Sequence, residues 1–161
     1  MKKFLAAICA VLALTTTAGA VEVAAPSALL MEKETGAILY AKDEHAKLEP
    51  ASVTKIMTLL LIMEALDSGR IARDDMVTVS AYAAGMGGSQ VYLKEGEQMS
   101  VSELLKCITV VSGNDAAVAM AEYLSGSEAA FVAEMNLRAR ELGMADTNFV
   151  NCTGLPAQGH L

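Results

Sequence analysis

Ser52 and Lys55 stand three residues apart at the head of a run that is otherwise almost wholly apolar, Ile56-Met57-Thr58-Leu59-Leu60-Leu61-Ile62-Met63-Glu64-Ala65-Leu66. Pro50 fixes its own φ and steers Glu49 away from helical backbone, so a helix is predicted to begin at or after it. Within such a helix Ser52 and Lys55 share a face, one turn apart. A lysine on a buried helix is costly to charge: desolvation lowers its pKa, and a neutral amine can take the proton of a neighbouring hydroxyl. An activated serine nucleophile requires that arrangement, so the pair points to serine acyl transfer.

A second polar group, Ser112-Gly113-Asn114, falls in a break between two predicted helices, where side chains can project into a cleft. At the start of its own helix, Ser52 also carries an N–H with no intrahelical partner, at the end where the dipole favours developing negative charge. Neither spacing is specific by itself. A lysine near a helix start also snorkels to solvent, and serine and asparagine in a helix break also serve as caps.

Several elements must hold these residues. Ser27 to Met31 and Ala37 to Ala41 read as a hairpin around Glu34-Thr35-Gly36, with Gly36 where φ is positive. Lys42 to Glu49 is a charged loop. The helix from Ser52 stops near Ser68-Gly69 and, being apolar nearly all round, is expected in the middle of the domain. Val77-Thr78-Val79 is a short apolar run. The glycine-rich Gly85-Met86-Gly87-Gly88-Ser89-Gln90 lacks the Gly-Lys-Ser/Thr ending of a phosphate cradle and reads as a turn or a cleft wall. Ser100-Val101-Ser102-Glu103 is a capping box opening a helix over Leu104 to Val111. Asp115 is expected to cap a helix over Ala116 to Leu124, stopped by Gly126, and a surface helix runs from about Ser127 to Leu142. Phe149-Val150 is read as a short strand before the loop Asn151-Cys152-Thr153-Gly154-Leu155-Pro156. A two-stranded hairpin is marginal alone, so strands completing its sheet are expected outside this sequence.

Residues 1–20 are read as a secretory signal peptide: basic Lys2 and Lys3, apolar Phe4 to Leu14, and Ala18-Gly19-Ala20 for cleavage near Ala20. The apolar stretch falls short of the roughly 20 residues that a membrane span needs. Cleavage removes two positive charges and no negative one, taking the formal net charge from −7 to −9. An acidic chain without a basic stripe is a poor partner for nucleic acid. The 53% hydrophobic content suits one core of ordinary size. The remaining cysteines, Cys107 and Cys152, are expected as free thiols, Cys107 as a buried hydrophobe. No grouping around His45 and His160, the only histidines, has metal-ligand spacing, and no cofactor is expected.

Taken together, the chain resembles the exported serine D-alanyl-D-alanine carboxypeptidases, low-molecular-mass penicillin-binding proteins of the β-lactamase superfamily. The resemblance rests on Glu49-Pro50-Ala51-Ser52-Val53-Thr54-Lys55-Ile56-Met57-Thr58, on Gly87-Gly88-Ser89-Gln90, and on Ser112-Gly113-Asn114-Asp115-Ala116 with Ala119-Met120-Ala121. Phe131-Val132, Met135-Asn136, Leu142-Gly143, Thr147-Asn148-Phe149 and Gly154-Leu155 follow in the family's order. It runs from about residue 27 to the end.

The resemblance implies an α/β (α+β) fold of the β-lactamase/transpeptidase type, a helical block packed on an antiparallel sheet that this sequence leaves incomplete. It implies Ser52 as the nucleophile on the penultimate D-alanine of a peptidoglycan stem peptide, Lys55 as its base, Ser112 as a proton relay and Asn114 as a donor or acceptor to the substrate backbone. The Ser52 N–H would be one arm of an oxyanion hole. β-Lactams would acylate Ser52. The superfamily's Lys-Thr-Gly motif has no counterpart: Glu34-Thr35-Gly36 and Cys152-Thr153-Gly154 lack the lysine, so residues 21–161 are expected to be the N-terminal part of the catalytic domain. Membrane contact is expected only through segments outside this sequence. A D,D-endopeptidase shares every residue named. A non-catalytic, wall- or penicillin-binding relic is the reading from another class, whereas Glu134-Met135-Asn136 does not reproduce the deacylating glutamate motif of class A β-lactamases.

Overall fold

The computed structural model describes residues 22–161, and the expected signal peptide lies outside the described residues. The described residues divide into two compact units, 22–46 and 47–161.

In the first unit, β1 (Ala28–Met31) and β2 (Ile38–Lys42) form the expected antiparallel hairpin, with Ala28 opposite Lys42 and Leu30 opposite Tyr40. Its turn is organised by one carboxylate. Glu32 accepts from the Glu34 and Thr35 N–H groups and from the Thr35 hydroxyl, and Gly36 follows at φ +71°. Those bonds, the hydroxyl's first, hold the Glu32 carboxyl below its usual range. Lys42 Nζ pins the lead-in by donating to the Val23 and Ala25 carbonyls, both at 2.8 Å.

The second unit carries five helices and a short ribbon. A 3-10 turn (Ala51–Thr54) runs directly into α1 (Lys55–Asp67), so the helical region starts just after Pro50 as its ring dictates. Gly69, at φ +71°, follows the Ser68 cap and ends α1. Next come β3 (Met76–Thr78), the single turn α2 (Ala81–Ala84), β4 (Gln98–Ser100), α3 (Val101–Val111), α4 (Asn114–Ser125) and α5 (Glu128–Glu141). β3 and β4 pair antiparallel with Val77 opposite Met99. The Ser100–Glu103 capping box opens α3 in both directions, side chain to backbone. Ser127 caps α5, whose Phe131 and Met135 are buried.

Four sequence expectations need correction. The central helix is α4, not α1. Every residue from Asn114 to Ala121 is buried, and α1, α2, α3, α5 and β3 all pack against this helix. Its alanines let neighbouring backbones approach closely, whereas α1 leaves Ile56 68% exposed. Phe149-Val150 forms no strand: the Phe149 N–H is taken by Asn136 Oδ1 and the Val150 N–H by His160 Nδ1, so no ladder extends. Asp115 does not cap α4 from outside. It lies within the first turn, preceded by Gly113 as cap. Cys107 is only half-buried, although both thiols are free and burial raises both, Cys152 far more strongly.

Candidate active site

The 3-10 turn exposes the Ser52 side chain while Thr54 and Lys55 turn inward, Lys55 being only 3% exposed. Lys55 Nζ lies 3.3 Å from Ser52 Oγ and donates to the Thr153 carbonyl at 2.7 Å. Burial lowers the Lys55 pKa, with an opposing contribution from the Cys152 side chain. The resulting pair is a hydroxyl beside an amine biased toward its neutral form, at the loose separation common in unliganded sites. No acceptor among the described residues takes the Ser52 N–H. That donor is available to an oxyanion.

The loop after α5 supplies the lysine's anchor, and sequence reasoning did not identify it. Asn151 buckles this loop on itself. Its Oδ1 accepts from the Thr153 N–H, the Thr153 hydroxyl and the Gly154 N–H, and its Nδ2 donates to the Leu155 carbonyl. The Thr58 hydroxyl on α1 donates to the Cys152 carbonyl at 2.7 Å. Glu128, at the start of α5, accepts the Cys152 N–H through one oxygen and the Tyr82 hydroxyl through the other. The Tyr82 phenol is pushed up to about 12, chiefly by that bond to Glu128. Gly154 then presses on the Ser52 turn: a Cβ there would run into the Ala51 carbonyl and stand 3.0 Å from the Ser52 nitrogen. Ala51 itself holds φ +47°, a left-handed backbone that a non-glycine residue adopts at a cost.

Ser112 and Asn114 occupy the break between α3 and α4. Ser112 ends α3 in left-handed backbone, φ 60° and ψ 33°, and its hydroxyl makes no hydrogen bond among the described residues. Asn114 Nδ2 donates to the Gly87 carbonyl at 2.7 Å and its N–H to the Ser89 carbonyl, which fixes the amide and leaves Oδ1 without a partner among the described residues. The glycine-rich stretch is therefore a wall held by the Asn114 side chain. A Cβ on Gly88, at φ +77°, would lie 2.8 Å from Asn114 Nδ2 and 3.3 Å from Leu155 Cδ2. Asp115 completes this wall, its buried carboxylate accepting from the Val91, Leu93 and Ala116 N–H groups. Thus Ser52 and Lys55 meet directly. Ser112 and Asn114 make no hydrogen bond with them among the described residues, and the loop 151–155 holds the Ser52–Lys55 pair while Leu155 stands beside the Gly88 wall. Among the described residues no set of His, Cys, Asp or Glu is placed to hold a metal ion, and no helix is long and apolar enough to cross a membrane.

An exposed serine beside a buried lysine, in a helical block with small antiparallel sheets, is the architecture of the β-lactamase/transpeptidase-like serine peptidases. The D-alanyl-D-alanine carboxypeptidase DacD from Francisella tularensis superposes with a TM-score of 0.83 at 41% identity, over 85% of this chain and 33% of that one. The family model for D-alanyl-D-alanine carboxypeptidase, peptidase S11, matches residues 14–161, and the chain belongs to that family. Its relatives include the D-alanyl-D-alanine carboxypeptidase DacF of Bacillus subtilis (strain 168), 57% identical over 84% of this chain and 35% of that protein. A D-alanyl-D-alanine endopeptidase of Pseudomonas aeruginosa is 31% identical over 83% of this chain and 42% of that protein. The chain spans about a third of the length of the carboxypeptidases it matches.

Proposed function

We propose that this chain carries the nucleophile half of an exported serine D,D-carboxypeptidase that removes the terminal D-alanine from peptidoglycan stem peptides. Ser52 attacks the carbonyl of the penultimate D-alanine while Lys55, its charged form disfavoured by burial, takes the hydroxyl proton. The Ser52 N–H receives the developing oxyanion, and loss of such a donor costs roughly 3–4 kcal/mol of barrier. Ser112 passes a proton to the departing D-alanine amine. Asn114 offers Oδ1 to an N–H of the substrate backbone. Water then releases the shortened peptide from Ser52. Residues 21–161 are read as the N-terminal part of the catalytic domain, and β-lactams, which mimic the D-Ala-D-Ala end, acylate the same hydroxyl.

The observation that carries this reading is the Lys55 amine itself, 3% exposed and set between Ser52 Oγ and a carbonyl. Salt-bridging or snorkelling does not account for it, because no carboxylate pairs with Lys55 among the described residues. Incubation with a fluorescent penicillin tests the reading: a stable adduct lost in Ser52→Ala supports it, and an unlabelled, folded chain favours a non-catalytic role. A second reading, D,D-endopeptidase, is favoured by the Pseudomonas relative. Release of D-alanine from a pentapeptide, set against cleavage of cross-linked dimers, separates the two.

A further inference from the structure

His160 is 2% exposed and carries no metal-ligand neighbours, yet both of its ring nitrogens are engaged. The Val150 N–H donates to Nδ1 at 3.0 Å. Nε2 lies 2.7 Å from Thr54 Oγ1. An imidazole nitrogen that accepts an amide N–H carries no proton, so the neutral ring must hold its proton on Nε2 and donate it to Thr54. Burial favours that neutral form by lowering the His160 pKa, against the pull of the Glu49 carboxylate. Phe149 meets the ring edge-on with centroids 6.0 Å apart, and the backbone beneath it is held as well: the His160 backbone N–H donates to the Ala157 carbonyl, and Asn148 Nδ2 donates to the preceding Gly159 carbonyl at 2.7 Å.

Thr54 is the last residue of the 3-10 turn and the residue before Lys55. Its hydroxyl is buried at 1% exposure and has no hydrogen-bond partner other than His160 among the described residues. Within the turn the Val53 N–H reaches the Pro50 carbonyl at 3.1 Å, the Lys55 N–H donates to the Ser52 and Val53 carbonyls, and Ala51 sits in left-handed backbone.

We propose that His160 is a positioning residue that, as the Nε2–H tautomer, ties the loop 148–161 to Thr54 and so holds the Ser52 turn in register with Lys55. The same loop then grips the pair twice, by the Thr153 carbonyl on the amine and by the imidazole on the turn. The proposal rests on Ser52 being the nucleophile.

Three substitutions separate the two jobs of the ring. His160→Asn keeps an acceptor for the Val150 N–H and loses the donor to Thr54. His160→Gln places an amide N–H within reach of Thr54. Thr54→Val removes the acceptor at nearly constant shape. Acylation by fluorescent penicillin and amide exchange at Val53 are measured together. The expected result is about tenfold slower acylation and about tenfold faster Val53 exchange in His160→Asn and Thr54→Val, the size of one lost buried hydrogen bond. The double variant should fall no further, and His160→Gln should stay near the unaltered chain. Unchanged Val53 exchange in both single variants overturns the proposal, as does exchange rising equally through α4, which means general loosening. Failure of the unaltered chain to take up penicillin counts against the nucleophile reading itself, and Val53 exchange then still decides whether His160 holds the turn.

Discussion

Lys55 Nζ is closer to the Thr153 carbonyl, at 2.7 Å, than to Ser52 Oγ, at 3.3 Å, although Thr153 lies 98 residues further along the chain. The amine is thus aimed by a loop rather than by its own helix. One of its hydrogens is committed to a carbonyl, so that on losing its extra proton the amine can turn its lone pair to the hydroxyl. The position of Thr153 in turn depends on Asn151, Glu128 and the glycine beside it.

Gly154 is the member of that loop with least room for change. A methyl group there meets the Ala51 carbonyl, and φ +85° already disfavours any L side chain. Gly154→Ala must displace either the Ser52 turn or the Thr153 carbonyl. The expected outcome is a loss of about 2–4 kcal/mol in stability by thermal or denaturant unfolding. Penicillin acylation should fall at least about a hundredfold, because small misplacements of reacting groups cost that much. A variant with normal acylation would show that the close approach of Gly154 and Ala51 has no bearing on the pair.

The charge state of Lys55 gives a pH signature of definite sign. Burial lowers its pKa in the folded chain, whereas an unfolded lysine titrates near 10.4. Between the two values the unfolded chain holds a proton that the folded chain has lost, so this residue makes stability rise with pH across that window. Acylation should rise over the lower part of the same range, as the amine becomes able to accept the Ser52 proton. Lys55→Arg, permanently charged, should abolish acylation at every pH while leaving penicillin-independent folding measurable. A rate that falls as pH climbs toward the ordinary lysine value would contradict the assignment of Lys55 as base.

Asp115 presents the opposite case, a buried carboxylate whose acceptor capacity is spent on backbone. Asp115→Asn preserves shape but turns one acceptor into a donor facing the N–H groups of Val91 and Leu93. Leaving such groups unpaired costs about 1–3 kcal/mol each. Chemical denaturation should show a loss in that range, and amide exchange at Val91 and Leu93 should quicken well before that of α1. Equal protection at both positions in the variant would mean that the loop 87–93 is held by something other than this carboxylate.

Much of this arrangement is legible in the sequence where it is local. The hairpin around Gly36, the Ser100–Glu103 capping box, the stop at Gly69 and the facing of Ser52 and Lys55 all follow from residues within a turn or two of one another. The contribution of Thr153 is invisible because a backbone carbonyl has no side-chain signature, and any residue at 153 supplies one. His160 gave no signal as a lone histidine without ligand spacing, and its role depends on Val150 and Thr54, reached only through the fold. Asp115 read as a cap because aspartate before a helix usually is one. Beyond the neighbouring Ala116 N–H, its partners Val91 and Leu93 lie more than twenty residues back in the chain. The burial of α4 over α1 was concealed by alanine's modest hydrophobicity, since close approach of backbones leaves no mark on an apolar pattern.

Ser112 allows stability and chemistry to be pulled apart. Its left-handed backbone costs a non-glycine residue roughly 1 kcal/mol, and its hydroxyl makes no hydrogen bond among the described residues to offset that. That strain fits the proposed role of the Ser112 hydroxyl in proton transfer. Ser112→Gly should therefore raise stability by about 0.5–1 kcal/mol, since glycine adopts this backbone freely, while slowing turnover of a D-Ala-D-Ala peptide. Ser112→Ala keeps the strained backbone and loses the hydroxyl, so it should slow turnover equally with little change in stability. The comparison is read from denaturation midpoints and D-alanine release on the same preparations. Two variants that both turn over normally would leave the Ser112 hydroxyl without a part in proton transfer, and a Ser112→Gly variant less stable than the unaltered chain would show that the helix break is held by a contact of the serine side chain instead.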